Sequence, residues 1–446
     1  MKKYVKIILI IVAIVLIGVV YYGYRVYQVV MGSEKITGKQ ESIPSVAKNI
    51  PQLTKGTADW SNWRGQNFDG KNATVGIKKD WANGLKKLWQ VDYLCQGKAN
   101  ASWAAPVVKG NRLIVPGRDE GKDLVFCINS ETGELIWQNS YPAPAETAHG
   151  PGARATPFID SNRVYTFGRS GDIACWMLED GKLLWHKNVK DLQGQESQWG
   201  LSSTPLVYKN KVIVQGGGKA TVIAYDKMTG DVLWKSLEGE AGYAAAIPMT
   251  VENQTQLLVY HGKGLSGLNP DDGKEIWRVN WPTEYGVNAT TPAIVGDVVF
   301  HTSGYKMGCE AIKVRKDGFS VLWKNDVIAA QHSDPIIIDG FIYEFSGESS
   351  HNVGEFKCVD LSNGKVKWST PEMGQGTTVF ADGYLFCFNL KGALFIVKPN
   401  PDKFEKAGEI KDAIAGVTNP SWTTPCIANG KIYLRYMQRL ICYDLM

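Results

Sequence analysis

No cysteine lies near the amino-terminal hydrophobic run, so a lipid-modified amino terminus is excluded. The chain has no adjacent cysteine pair and no C-x-x-C-H sequence, which removes covalent haem attachment. No cysteine or histidine spacing resembles a zinc site. There is no Gly-x-Ser-x-Gly elbow, phosphate-binding glycine loop or zinc-hydrolase helix. Histidine is scarce, at six in 446 residues. His149, His186, His261, His301 and His351 show no i, i+2 or i, i+4 pairing, and no metal site is expected. A basic body is also missing. The first 40 residues hold six basic side chains against one acid, which accounts for the whole net charge of +5. The rest of the chain is neutral and carries no electrostatic footprint for nucleic acid.

What is present starts with an anchor. Residues 7–22 are an unbroken apolar run, and the aliphatic and aromatic residues through Val30 extend it to bilayer length if Arg25 snorkels. Lys2, Lys3 and Lys6 precede it, which keeps the amino terminus cytoplasmic. No small-x-small cleavage motif follows, so residues 1–30 are expected to be a single-pass transmembrane signal anchor rather than a cleaved signal peptide. Residues 31–58 are polar and aperiodic and read as a linker. The remainder, 59–446, is then held at the cell membrane on the extracytoplasmic (periplasmic) side.

A Gly-x-x-x-Trp unit recurs through this remainder. It pairs Gly133 with Trp137, Gly181 with Trp185, Gly230 with Trp234, Gly273 with Trp277, and Gly364 with Trp368. Gly318 and Trp323 form a version one residue longer, and Trp89 stands alone at the start. Successive tryptophan intervals are 48, 48, 49, 43, 46 and 45 residues. That period matches one four-stranded propeller blade per repeat. Within a repeat, short β-branched runs alternate with turn pairs such as Gly110-Asn111, Asp339-Gly340 and Asn429-Gly430, which tolerate the positive φ of tight hairpins. Blade starts fall at Pro106, Pro157, Pro205, Pro248, Pro292, Pro335 and Pro425, with one more near Thr377. The expected fold is all-β, an eight-bladed β-propeller of four-stranded antiparallel blades with an N-terminal transmembrane helix. The last blade lacks a fourth strand, and the segment around Trp89 is expected to supply it. Closure of the ring would remove the exposed sheet edges.

The stretches from Ala224 through Gly230 to Trp234, and from Cys358 through Gly364 to Trp368, resemble the tryptophan-docking motif of the pyrroloquinoline-quinone (PQQ)-like propeller repeat family. The leader Asp59-Trp60-Ser61-Asn62-Trp63-Arg64-Gly65, continuing to Gly70, is similar to that of many such proteins. The resemblance covers about residues 59–446. It implies that each tryptophan packs against the neighbouring blade, near the small residue six before the glycine. Two branches of the family matter: quinoprotein dehydrogenases, and the outer-membrane protein assembly lipoprotein, a non-enzymatic scaffold. This chain departs from both, lacking the lipidated cysteine of one and the cysteine features of many of the other.

Cys127, Cys175, Cys358 and Cys442 occupy equivalent slots, where other repeats place Ala224 and Gly267. They are expected to be buried free thiols filling a small-residue position. Equivalent slots of separate blades do not approach within bonding distance. The pairing of Cys95, Cys309, Cys387 and Cys426 stays open.

Strand order assigns the long connections to one face, including the stretches between Trp137 and Pro157, Trp185 and Pro205, and Phe404 and Pro425. The other face has only tight turns. Function concentrates on long loops borne by a rigid scaffold. Residues three before each opening proline should ring the channel mouth: Trp103, Arg154, Ser202, Ala245, Ala289, His332 and Trp422. Trp199, Tyr243, Tyr285, Asn288 and Gln375 stand nearby. Two readings of this ring remain, a ligand- or peptide-binding site or a plug filling the channel. Trp103, Arg154, Trp199, Tyr243, Asn288, His332 and Trp422 are the candidate binding residues, with no catalytic residue assigned. Asp334, Glu344 and Glu348 are possible Ca²⁺ ligands whose single-strand alternation does not build a site.

The leading functional expectation is a monomeric, non-catalytic platform in the cell envelope, without cofactor, that binds an envelope protein or an extended peptide. The alternatives are a quinoprotein-type oxidoreductase using PQQ with Ca²⁺, and a glycan- or small-molecule-binding propeller.

Overall fold

A computed structural model describes residues 58–96, 101–144, 150–348 and 353–446. The proposed membrane anchor, most of the linker, His149 and His351 lie outside them. Among the described residues no helix is long and apolar enough to cross a membrane.

The strands form eight sheets. In chain order they are blade 1 (107–142), blade 2 (158–188), blade 3 (206–236), blade 4 (247–280), blade 5 (293–325), blade 6 (336–370), blade 7 (376–410) and blade 8 (426–444). Blade 8 takes its fourth strand from Lys87–Val91, with Trp89 opposite Cys442. The two ends of the propeller sequence therefore share one sheet, as the orphan tryptophan predicts. All eight first hairpin turns place a residue at positive φ: Gly110, Ser161, Lys209, Glu252, Gly296, Asp339, Asp382 and Asn429. Lys209 and Glu252 show that hairpin geometry is imposed even where residue preference is weak.

The docking tryptophans repeat one arrangement. Each lies on the fourth strand, directly across from a small residue of its own blade: Cys127 with Trp137, Cys175 with Trp185, Ala224 with Trp234, and Cys358 with Trp368. The small residue six before the glycine thus lies on the tryptophan's own blade. The slot must be small because the indole lies over it from the adjacent strand. A register shift follows each of these pairs and adds twist.

The indole then reaches the next blade. Its N–H donates to the carbonyl three residues before that blade's motif glycine. Trp89 donates to Ser130 (3.1 Å), Trp137 to Leu178 (2.9 Å), Trp185 to Lys227 (3.1 Å), Trp234 to Pro270 (3.2 Å) and Trp323 to Leu361 (2.7 Å). The ring covers the glycine itself. A Cβ on Gly181, whose φ is 72°, would sit 2.5 Å from the Trp137 ring.

Two blades solve the junction differently. Blade 5 has the longer hairpin, and Gly318 has nothing within 4 Å of a built Cβ. Trp277 instead packs its ring 5.4 Å from Phe319 and donates to Gln256, whose amide donates to the carbonyls of Arg315 and Lys316. The glutamine thus relays the missing bond. In blade 7 the slots are exchanged, with Ile396 opposite Gly408. The absent indole is replaced by Trp81 of the leader, buried against Gly408 and 5.9 Å from Phe386. All eight cysteines are free thiols, seven of them buried. Burial pushes the Cys127 and Cys442 thiols up to about 12, so they are poor nucleophiles.

Gly181→Ala forces both a positive-φ strain and a clash with Trp137. It should destabilise the protein by more than about 1 kcal/mol, while Gly318→Ala stays within about 0.5 kcal/mol of wild type. Urea unfolding of the two variants measures this. Equal effects would show that the indole-over-glycine contact carries no special weight.

Candidate functional site

The leader enters and leaves the ring on the plain face. Asn429 N donates to Ala58 O, and Gly110 N to Asp59 Oδ1, both at first-hairpin turns. Trp60 bridges to Val108 of blade 1, and Ser61 O accepts from Ile159 N of blade 2. Trp63 Nε1 donates to Thr291 Oγ1 of blade 5 at 3.0 Å. Arg64 Nη2 donates to the Pro335 carbonyl of blade 6 at 2.7 Å, and its Nη1 lies 3.3 Å from Asp334 Oδ2. The chain then turns back. Lys71 and Asn72 pair in parallel with Phe380 and Ala381 of blade 7, and Asn72 donates to Ile427 O of blade 8. It leaves past the Asp382 turn, whose carboxylate accepts from Gly76 N and Ile77 N. Gly70 is required at the return, since a Cβ there would meet Ile336 at 2.3 Å. Residues 60–72 are therefore a plug inserted along the axis, and they hydrogen-bond to six of the eight blades.

Above the plug, at the elaborated face, lies a cavity of about 250 Å³. All seven residues three before an opening proline line it, from Trp103 and Arg154 round to His332 and Trp422. Trp199 and Tyr243 line it too, and Trp63 reaches it from the plug. The plugging and the lining that the sequence left as alternatives are thus divided between two sets of residues. Asn288 is a correction: it is fully buried outside the cavity, donating to His261 O and Trp281 O and accepting from Thr283. It holds the 281–288 loop against blade 4. Gln375 also lies outside, its carbonyl accepting from Leu390 N, and Tyr285 sits at the rim, 46% exposed. The last long connection is 411–425, because the fourth strand of blade 7 is Lys406–Ile410 and Phe404 precedes it.

The lining is held from behind. Arg154 Nη1 donates to Trp199 O at 2.7 Å, and Trp199 N donates to Tyr243 Oη at 3.2 Å, so the Trp199 backbone is gripped on both sides. Burial, with Arg169 nearby, lowers Arg154 to about 10, which leaves it cationic at neutral pH. Trp103 N donates to Ala153 O, and its carbonyl accepts from Thr423 Oγ1. His332 stacks on Trp422 at 5.2 Å and 17°, and Trp422 meets Trp103 at 5.1 Å. Tyr285 links Trp199 and Tyr305 edge-on at 6.4 and 5.8 Å. The sequence reasoning missed Tyr305, Gln331 and Trp63 as lining residues, since none sits at a repeating offset.

Buried acids adjoin the floor. Asp334 Oδ1 accepts from Thr291 N at 2.6 Å in addition to its pairing with Arg64. Burial still holds its carboxyl above the usual range. Behind it, Glu344 is fully buried. Burial pushes its carboxyl up to about 8, against the Ser333 hydroxyl, with Asp334 adding to the rise. Among the described residues no group of three or more histidine, cysteine or acidic side chains converges to hold a metal.

The family described as outer membrane protein assembly factor BamB matches residues 80–166 and 144–370, more than half of the chain. The chain belongs to this BamB family. Among its relatives, BamB of Kangiella koreensis is 25% identical over 198 residues, 43% of this chain and 46% of that protein. Tetrathionate hydrolase of Acidithiobacillus ferrooxidans is 25% identical over 197 residues, 41% of this chain and 38% of that protein. The chain thus spans less than half the length of either relative. The crystal structure of quinohemoprotein alcohol dehydrogenase from Comamonas testosteroni aligns with a TM-score of 0.61 at 13% identity, over 87% of this chain and 80% of that one. That likeness is one of fold. BamB-family membership fixes the architecture, and the relatives' different names leave the chemistry to the site.

Glu344 gives a pH test. Folded, it keeps its proton up to about 8; unfolded, it loses it near 4.5. The folded state binds more protons between those values, so its stability falls as pH rises through that window. Asp123, raised to about 6, acts in the same direction at lower pH, and His261, lowered to about 4, acts oppositely. Comparing wild type with Glu344→Gln isolates the glutamate. The variant's melting temperature should exceed wild type progressively from pH 5 to pH 8; a constant difference would refute the assignment.

Proposed function

We propose that this BamB-family protein is a non-catalytic docking platform of the cell envelope, tethered by its amino-terminal segment and working through the elaborated face. The observation that carries the reading is the contrast between the faces. One shows eight tight turns and the closed underside of a plug. The other gathers the long connections around a single aromatic-lined mouth backed by hydrogen-bonded supports. Rigid aromatic anchors around a recess are the composition of a recognition surface. The assembly-factor relatives support this role, and a neutral body favours a protein or glycan partner over nucleic acid.

A quinoprotein chemistry fits the residues poorly. Ca²⁺ takes six to eight oxygen ligands. The cavity offers two carboxylates, and Asp334 is already committed to Arg64 and Thr291 N. The volume, about 250 Å³, is below the ~300–1,000 Å³ of pockets for drug-sized ligands. Titration with PQQ and Ca²⁺ should produce neither a new absorbance band nor a melting shift.

A photocrosslinking side chain at Tyr285, on the rim, should capture a specific envelope protein in intact membranes. The same group at Asp339, on the plain face, should not. Capture from Asp339 alone, or from neither position, overturns the platform reading.

A further inference from the structure

We propose that the cavity at the channel mouth is a carbohydrate subsite that seats one neutral sugar ring. The inference rests on the elaborated face being the working face, and it adds a ligand class to it.

Size comes first. About 250 Å³ accommodates a single ring rather than a fused cofactor. The room is asymmetric. Blades 3, 4 and 5 place Ser202, Ala245 and Ala289 where other blades place Trp103, Arg154, His332 and Trp422. The space therefore lies over blades 3–5, between two aromatic walls. Trp422, with His332 stacked on it, forms one wall; Trp199 and Tyr305, joined through Tyr285, form the other. A pyranose has an apolar C–H face for such walls and a rim of hydroxyls that each donate and accept.

The polar lining matches that rim. Thr156 Oγ1 accepts from Ala105 N, Thr204 Oγ1 from Thr156 N, and Thr291 Oγ1 from the Trp63 indole. A hydroxyl that accepts an N–H keeps its own proton to donate. Three such donors line the cavity wall, each oriented by the backbone or the plug. Gln331 also lines the cavity, its amide donating to Tyr305 Oη at 3.3 Å and so fixing that ring in the wall.

Charge decides between ligand classes. Asp334 is balanced by Arg64. Arg154 follows the connection into blade 2 and Glu348 ends the second strand of blade 6, positions opposite one another in a ring of eight. Among the acidic, lysine and arginine side chains of the lining, Arg154 and Glu348 carry opposite formal charges, which sum to zero. A phosphate or sulfate would add its charge to a lining that already holds Glu348, and an ammonium group would add its charge to one that already holds Arg154. An uncharged polyol meets neither cost.

The test uses full-length protein purified in a detergent without sugar headgroups. Glucose, N-acetylglucosamine and their oligomers are titrated by saturation-transfer NMR and by intrinsic tryptophan fluorescence, with glucuronate and PQQ plus Ca²⁺ as competitors. At least one neutral sugar should bind saturably. Trp199→Ala and the cavity-filling Ala245→Leu should each weaken it by at least about tenfold, with the folded state confirmed by melting. Ala245→Leu keeps the test open should Trp199→Ala fail to fold. No saturable response to any of these sugars overturns the proposal. So does binding unchanged in a folded variant, or tighter binding of glucuronate or PQQ at the same residues. The outcome is separable from the platform reading: capture of a protein from Tyr285 without sugar binding sinks this inference and leaves the platform standing.

Discussion

The seat of each indole over the next blade's glycine is the constraint on which the rest of the molecule depends. A blade of four short strands cannot bury both of its faces alone. The indole closes the gap between successive blades and fixes their relative position with one directional bond, at five junctions to the carbonyl three residues before the next blade's glycine. Apolar burial supplies most of the energy, while the hydrogen bond supplies the register. Where the hairpin lengthens in blade 5, the bond is kept through Gln256. Where the indole is lost in blade 7, another indole is brought from elsewhere in the chain. Two independent substitutes for one contact show that the contact, rather than the motif, is what the fold requires.

The leader consequently does more than lead. It contributes the wedge of blade 7 through Trp81, the outer strand of blade 8 through Lys87–Val91, and the axial plug through residues 60–72. Ring closure therefore waits on contacts separated by most of the chain, which is a slow topology. The buried Arg64–Asp334 pair is weak evidence for stability, because removing both charges from water costs much of what their attraction returns. Its geometric consequence is clearer: the guanidinium also holds the Phe68 and Pro335 carbonyls, so it fixes how far the plug enters.

The sequence made legible much of what repeats. The tryptophan period gave the blade as the repeating unit, the opening prolines with Thr377 gave the count of eight, and the missing last strand pointed to Trp89 opposite Cys442. A constant offset from the opening proline found the cavity wall, because eight equivalent strands begin at one height around one axis. What occurs once was illegible. Trp81 replacing an indole, Trp63 forming a floor and Tyr305 completing a wall arise from contacts across distant positions with no periodic signal. Asn288 was misplaced for a related reason. Its neighbours in sequence line the mouth, but it lies between the Trp281 carbonyl of its own loop and the His261 carbonyl of blade 4, where an amide satisfies both donors and acceptor.

The plug changes what the mouth can do. An open ring would give the mouth water on both sides, and aromatic walls there would border a solvent-filled channel. With residues 60–72 in place, the recess has one opening and a floor of side chains already bonded to the blades. Its polar groups are oriented before anything arrives, which lowers the ordering cost of recognition. The loops that frame it vary in length, while the floor is built from the same segment that locks the ring. The recess therefore keeps its depth for as long as the propeller stays closed, and the stability of the fold and the shape of the site rest on one stretch of chain.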